Sequence, residues 1–177
     1  MSARITELLQ EETFSFTPSE YQRIHRRLFQ GIFKFAGKYR TYNISKKEWV
    51  LDGASVLYNP FENLSETLDY DFSEERKYDY SVSSTDESIA HIAAFIAGLW
   101  QIHPFGEGNT RTTAVFLIKY LRSFGFSISN DLFAAHSWYF RNALVRANYF
   151  NREKGIVMTC PIWRSSCGIW FWVSRMS

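Results

Sequence analysis

The sequence predicts an all-α domain carrying one small β-hairpin, and three observations predict it. Two helix-start signatures, at Thr17 and Ser84, each open onto apolar residues at helical spacing. Between them, residues 38–59 have β-type composition around an Asp52-Gly53 turn. The 177 residues are 46% apolar and 18% aromatic, enough to bury one core.

The first predicted helix opens at Thr17-Pro18-Ser19-Glu20. Thr17 suits the cap, Pro18 the first helical position, and Glu20 completes a capping box. Ile24, Leu28, Phe29, Ile32 and Phe33 continue it, and Ala36-Gly37 stops it. The hairpin follows, with Tyr39, Tyr42, Ile44, Trp49, Val50, Leu51, Val56, Leu57 and Tyr58. Two strands are weak alone, so it must lie on the helical body; its aromatic residues are expected to pack. Pro60 to Phe72 reads as a short helix and Ser73 to Ser83 as a polar, tyrosine-rich loop.

Ser84-Thr85-Asp86-Glu87 is the second capping box. Ile89, Ile92, Ala93, Ile96, Leu99 and Trp100 form the stripe behind it, and the helix must stop before Pro104. Another helix runs from about Asn109 to Phe124, ending at Gly125, and a last one from Asp131 to Tyr149. After Gly155 the pattern changes: Cys160 through Val173 holds three tryptophans without helix or strand period and without an acidic residue. Two readings stand side by side, an irregular tail folded onto the core and a reading-frame change that replaced a helix. The chain therefore divides into a domain over 1–156 and an atypical tail over 157–177.

Composition excludes several classes of function. With 20 Lys+Arg against 18 Asp+Glu and a net charge of +2, there is no basic stripe for nucleic acid. Ile89 to Trp100 is too short to span a bilayer, which needs about 20 residues, and no signal peptide is seen. Cys160 and Cys167 lack metal-ligand spacing, so a reduced, cytoplasmic protein without a zinc site is expected.

The chemistry concentrates in Ile102-His103-Pro104-Phe105-Gly106-Glu107-Gly108-Asn109-Thr110-Arg111-Thr112-Thr113. His103 can accept a proton near neutral pH. Glu107 is a hard oxygen ligand suited to Mg²⁺. Gly106, Gly108 and Asn109 free backbone N–H groups at a helix N-terminus, an anion site, and Arg111 adds a fork for phosphate. Together they describe a magnesium-nucleotide site with a base beside it. The run is neither a Walker A loop nor a kinase glycine loop, and its chemistry alone leaves open which phosphorus atom is attacked. His25, His91 and His136 have no such company and read as ordinary structural or surface residues. Asn148 reads either as a nucleotide contact or as satisfied core polarity.

The run resembles the Fic family motif, H-x-F-x-[D/E]-G-N-G-R-x-x-R. His103, Phe105, Glu107, Gly108, Asn109 and Arg111 match at the family spacing. The stretches Ile24 to Phe29, Ala36 to Arg40, Asn43 to Lys46, and Phe140 to Tyr149 also look like the family's, from about residue 18 to 156.

The resemblance implies a Fic-fold helical bundle with a β-hairpin flap, and a protein adenylyltransferase moving AMP from Mg-ATP onto a hydroxyl of a target protein. It makes His103 the base, Phe105 the anchor of the loop and Glu107 the Mg²⁺ ligand. Gly106, Gly108, Asn109, Thr110 and Arg111 hold the phosphates, and Lys47, Glu48, Trp49 and Val50 of the flap align the target. A small antitoxin and a second copy of the chain are partners it admits, as is delivery to another cell as an effector.

Two positions depart from the motif. Thr110 replaces the usual Gly, where the relative Doc has Lys and transfers phosphate. Ala114 replaces the final Arg, and its three-residue offset from Arg111 is expected to turn it toward the same anion site. Transfer of a phosphoryl or other nucleotide moiety, and an impaired nucleotide-binding remnant, therefore stay as alternatives. The family's inhibitory Ser/Thr-x-x-x-Glu-Gly/Asn pattern has no full match, because Ser88 follows Glu87.

Overall fold

The computed structural model describes residues 2–152 and Ile156. The sequence readings that fall on the tail over 157–177 lie outside these residues. The described chain is a bundle of α1 (Ser2–Gln10), α2 (Pro18–Phe29), α3 (Leu64–Lys77), α4 (Thr85–Ile102), α5 (Asn109–Ser123), α6 (Asp131–Ala135) and α7 (Ser137–Ala147). It is all-α, as the sequence predicts.

α5 is the centre. Every residue from Thr112 to Leu121 is buried, and α1, α2 and α4 pack around it. Phe116, at 0% exposure, takes edge contacts from Tyr21 of α2 and Phe72 of α3. A helix buried all round must satisfy its polar residues internally. Thr112 donates to Gly108 O at 3.0 Å and Thr113 to Asn109 O at 2.9 Å.

α2 starts as its cap dictates, with Thr17 Oγ1 accepting from the Glu20 N–H at 3.1 Å. The reciprocal half of the box is replaced. Both Glu20 carboxylate oxygens go to Arg23, at 2.7 and 2.8 Å. The helix also ends at Phe29 rather than near Ala36, because Gln30 is extended and Gly31 has φ +74°. Ile32, expected on the apolar face, is 52% exposed. α3 runs on to Lys77 through much of the predicted loop. α4 has the full capping box between Ser84 and Glu87, so the carboxylate of the partial inhibitory match is engaged at its own helix cap. The single late helix is two, α6 and α7, divided at His136.

Two differences are larger. The sequence shows no start signal before Thr17, yet α1 forms, held by Leu8 at 0% exposure. The predicted hairpin shrinks to one antiparallel bridge, Lys47 to Ser55. Trp49–Leu51 makes a 3₁₀ turn instead of a strand, since the Glu48 carbonyl accepts from both Leu51 and Gly53 N–H, each at 3.0 Å. The turn residues stay where expected, with Asp52 at φ +53° and Gly53 at +86°. Tyr39 packs on Phe105, but Tyr42 and Trp49 are 55% and 66% exposed, so the flap shows part of its aromatic surface to solvent.

Candidate active site

The loop between α4 and α5 is set by its two ends. His103 terminates α4 in the left-handed region, φ +50° and ψ +54°, and Gly108 opens α5 at φ +85°. A Cβ on Gly108 would meet the Phe29 ring at 2.3 Å, so the position needs glycine for space as well as for φ. Phe105, at 0% exposure, anchors the middle by stacking on His25, centroids 3.7 Å apart and 9° from parallel. His25 accepts the Gly37 N–H at Nδ1 (2.8 Å), which leaves Nε2 to donate to Glu107 O at 3.0 Å. Burial lowers its pKa to about 4, which keeps this bridge neutral.

Arg40 is the second fixture, and sequence reasoning assigned it no role. Its Nε donates to His103 O at 2.8 Å, its backbone N–H to Pro104 O at 2.8 Å, and Nη2 to Asn59 O. One buried guanidinium thus holds the turn that aims the histidine. The only signal in sequence is its place in the Gly37-Lys38-Tyr39-Arg40 stretch.

His103 is 4% exposed and lies against Tyr58 and Trp100. Its Nδ1 is 3.2 Å from Trp100 O, and a carbonyl only accepts, so the proton sits on Nδ1 and Nε2 keeps its lone pair. Burial, then the charges of Lys46, Arg40 and Arg141, bring its pKa down to about 3, against the Trp100 carbonyl, which raises it. The imidazole is therefore neutral across the physiological range.

A cleft of about 430 Å³ gathers His103, Glu107, Gly108, Asn109, Thr110 and Arg111, with Lys46, Tyr58, Trp100, Trp138 and Arg141 from other elements. The Glu107 carboxylate is 61% exposed and 3.5 Å from Lys46 Nζ. Asn109 turns its side chain back on the loop, accepting from Phe105 N–H at 3.0 Å and donating to Phe105 O at 2.7 Å. Thr110 Oγ1 accepts from the Trp100 indole at 3.0 Å. Arg111 is exposed, its guanidinium 5.9 Å from the Phe29 ring centroid.

Other predicted positions lie outside this lining. Gly106 faces Tyr42, whose Oη would be 2.8 Å from an added Cβ. Of the flap residues, Lys47 makes the bridge, Trp49 is exposed and Val50 packs on the core. Glu48 turns inward to 1% exposure and pairs with Arg141 at 2.6 Å. Ala114 corrects an expectation: it is 8% exposed, belongs to the apolar core, and does not line the cleft. Three residues past Arg111, a helix has turned about 300°, and α5 is enclosed on nearly every side there. Asn148 is core polarity, donating to Ala97 O and Leu144 O at 2.9 and 3.0 Å.

The Fic/DOC family model matches residues 15–121. The chain belongs to the Fic/DOC family. Over 131 residues it is 29% identical to a Sinorhizobium fredii protein named "Probable protein adenylyltransferase y4lH", covering 73% of this chain and 64% of that one. The chain thus spans less than two thirds of that relative's length. Its fold matches the N-terminal FIC domain of Bep8, a VirB-translocated effector from Bartonella sp. 1-1C, with TM-score 0.71 and 19% identity over 99% of this chain and 80% of that one. BepC of Bartonella tribocorum, solved with bound AMPPNP, gives 0.70 and 15% over 99% and 81%. Among the described residues of this chain no helix is long and apolar enough to cross a membrane.

Proposed function

We propose that this Fic protein is a protein adenylyltransferase that moves AMP from Mg-ATP to a hydroxyl of a target protein. The observation that carries the reading is the tautomer of His103. Nδ1 is anchored on Trp100 O, leaving an unprotonated Nε2 in a cleft shared with the α5 N-terminus and Arg111. The Sinorhizobium relative's name and the AMPPNP in BepC support a nucleotide donor.

In the proposed reaction the target's hydroxyl oxygen attacks the α-phosphorus, and its proton passes to His103 Nε2. The bond from that phosphorus to the bridging oxygen breaks, and pyrophosphate leaves. Backbone N–H groups at the start of α5 and Arg111 receive the phosphate charge. Burial depresses the His103 pKa most and the nearby cations add to it, so bound phosphates would counter only the cations' share.

Glu107 fits Mg²⁺ as a single exposed hard ligand, and among the described residues no group of three His, Cys, Asp or Glu converges. The remaining ligands would be phosphate oxygens and water, and the ion would neutralise charge on the phosphates. The flap offers Trp49 and Leu57, 66% and 79% exposed, as a surface for an extended target segment.

The test is label transfer from ATP carrying label at the α or the γ position into lysate protein. Label should follow the α position only. His103→Asn suits the comparison because Asn tolerates the left-handed backbone. It should reduce transfer by roughly 10²–10⁴-fold while ATP still binds. Transfer of γ label would establish phosphoryl transfer, and no transfer from either would leave a nucleotide-binding remnant.

A further inference from the structure

Arg141 comes from α7, well away in sequence from the loop that carries the rest of the site. It nevertheless lines the cleft beside His103, Thr110 and Arg111. Its Nη2 donates to Glu48 Oε2 at 2.6 Å. Its Nη1 is buried and has no acceptor among the described residues. An unsatisfied buried donor is unfavourable, and one with positive charge more so, which marks a position that a ligand completes. Tyr58 also donates to Glu48, at 3.3 Å, so the carboxylate that holds Arg141 is itself fixed. The two cleft guanidinium groups have different neighbours. Arg111 lies over Phe29, whereas the charge of Arg141 acts on Tyr58 and His103.

We propose that Arg141 is a second phosphate-binding residue of the cleft, gripping the phosphate nearest His103 while Glu48 holds its other nitrogen. This rests on the nucleotide-donor reading above, in which the phosphate beside the base is the α-phosphate. A planar fork suits both partners at once, one nitrogen on a carboxylate and one on a phosphate oxygen. Arg111 then serves the outer phosphates. The division predicts which ligands each residue can sense, since AMP retains the α-phosphate and adenosine retains none.

Calorimetric titration of ATP, AMP and adenosine against wild type, E48Q/R141Q and R111Q tests it. The double variant is chosen because R141Q alone leaves the Glu48 carboxylate buried without its cation. Thermal melts establish folding. E48Q/R141Q should weaken ATP and AMP alike, by about tenfold, with adenosine unchanged. R111Q should weaken ATP and spare AMP. Loss of ATP affinity without loss of AMP affinity in the double variant would move Arg141 to the outer phosphates and overturn the assignment. Unchanged binding of both by a folded double variant would leave Arg141 a structural partner of Glu48, again overturning it. If the double variant does not fold, R141K, which keeps the charge and loses the fork, should show the same pattern several-fold, and unaltered binding there overturns it too. A wild type that binds neither ATP nor AMP would remove the nucleotide reading itself, and this proposal with it.

Discussion

Gly108 and Ala114, six positions apart, show how the surroundings decide what a residue type means. Gly108 can be read as loop freedom, but the Phe29 ring makes it a packing requirement as well. Ala114 can be read as a missing phosphate ligand, but its site is closed by the core. Ala114→Arg should therefore destabilise the fold rather than tighten ATP binding. Forcing extra atoms into a packed core costs about 1–3 kcal/mol, and burying an unpaired guanidinium adds more. Urea unfolding of both proteins checks this. A variant as stable as wild type with higher ATP affinity would return position 114 to the cleft. The residues legible in sequence were those whose chemistry is local: His103, Glu107 and Arg111 all reach the cleft from one short run. Arg40, His25 and Arg141 were not assigned, because their contacts to His103 O, Glu107 O and Glu48 span 63, 82 and 93 residues.

At the scale of elements, helices with caps and a clear stripe were readable, and elements that depend on distant partners were not. Ser84 places the start of α4, and Pro104 and Gly108 bracket the loop. α1 has no comparable signal because its C-terminal end is met from elsewhere. Lys119 of α5, 3% exposed, donates to Leu8 O at 3.0 Å and Glu11 O at 3.1 Å, and Arg122 donates to Leu9 O at 2.5 Å. α1 returns the favour to α2, with Arg4 on Leu28 O and Gln30 O at 2.9 and 2.7 Å. Each cation meets carbonyls that a helix end leaves unpaired. Lys119→Met keeps most of the volume and removes both bonds, so it should cost about 1–3 kcal/mol. Amide exchange in α1 should rise more than in α4. Equal protection of α1 in the variant would mean that apolar packing through Leu8 suffices to hold it.

Taken whole, the molecule places two neutral histidines under the same loop, and that arrangement gives it a pH dependence. An unfolded histidine titrates near 6.5, whereas burial brings His25 to about 4, and burial with nearby cations brings His103 to about 3. Below pH 6.5 the unfolded chain binds protons that the folded chain refuses, so stability is present in full above 6.5 and falls as pH drops toward 4. Each histidine accounts for about 2 kcal/mol between pH 7 and pH 5, a large share of the stability of a typical domain. Asp71 works the other way, since burial raises its pKa and favours the folded state in acid. Phosphates bound near His103 would soften its share by raising its pKa, while His25, whose ring contacts are Phe29 and Phe105, would keep its own. Urea unfolding of wild type and His103→Asn at pH 7 and pH 5 separates the two contributions. Wild type should lose roughly twice as much stability as the variant over that interval. Equal losses would show that His103 takes up its proton as readily folded as unfolded, and the neutral base assigned to the site would then be wrong.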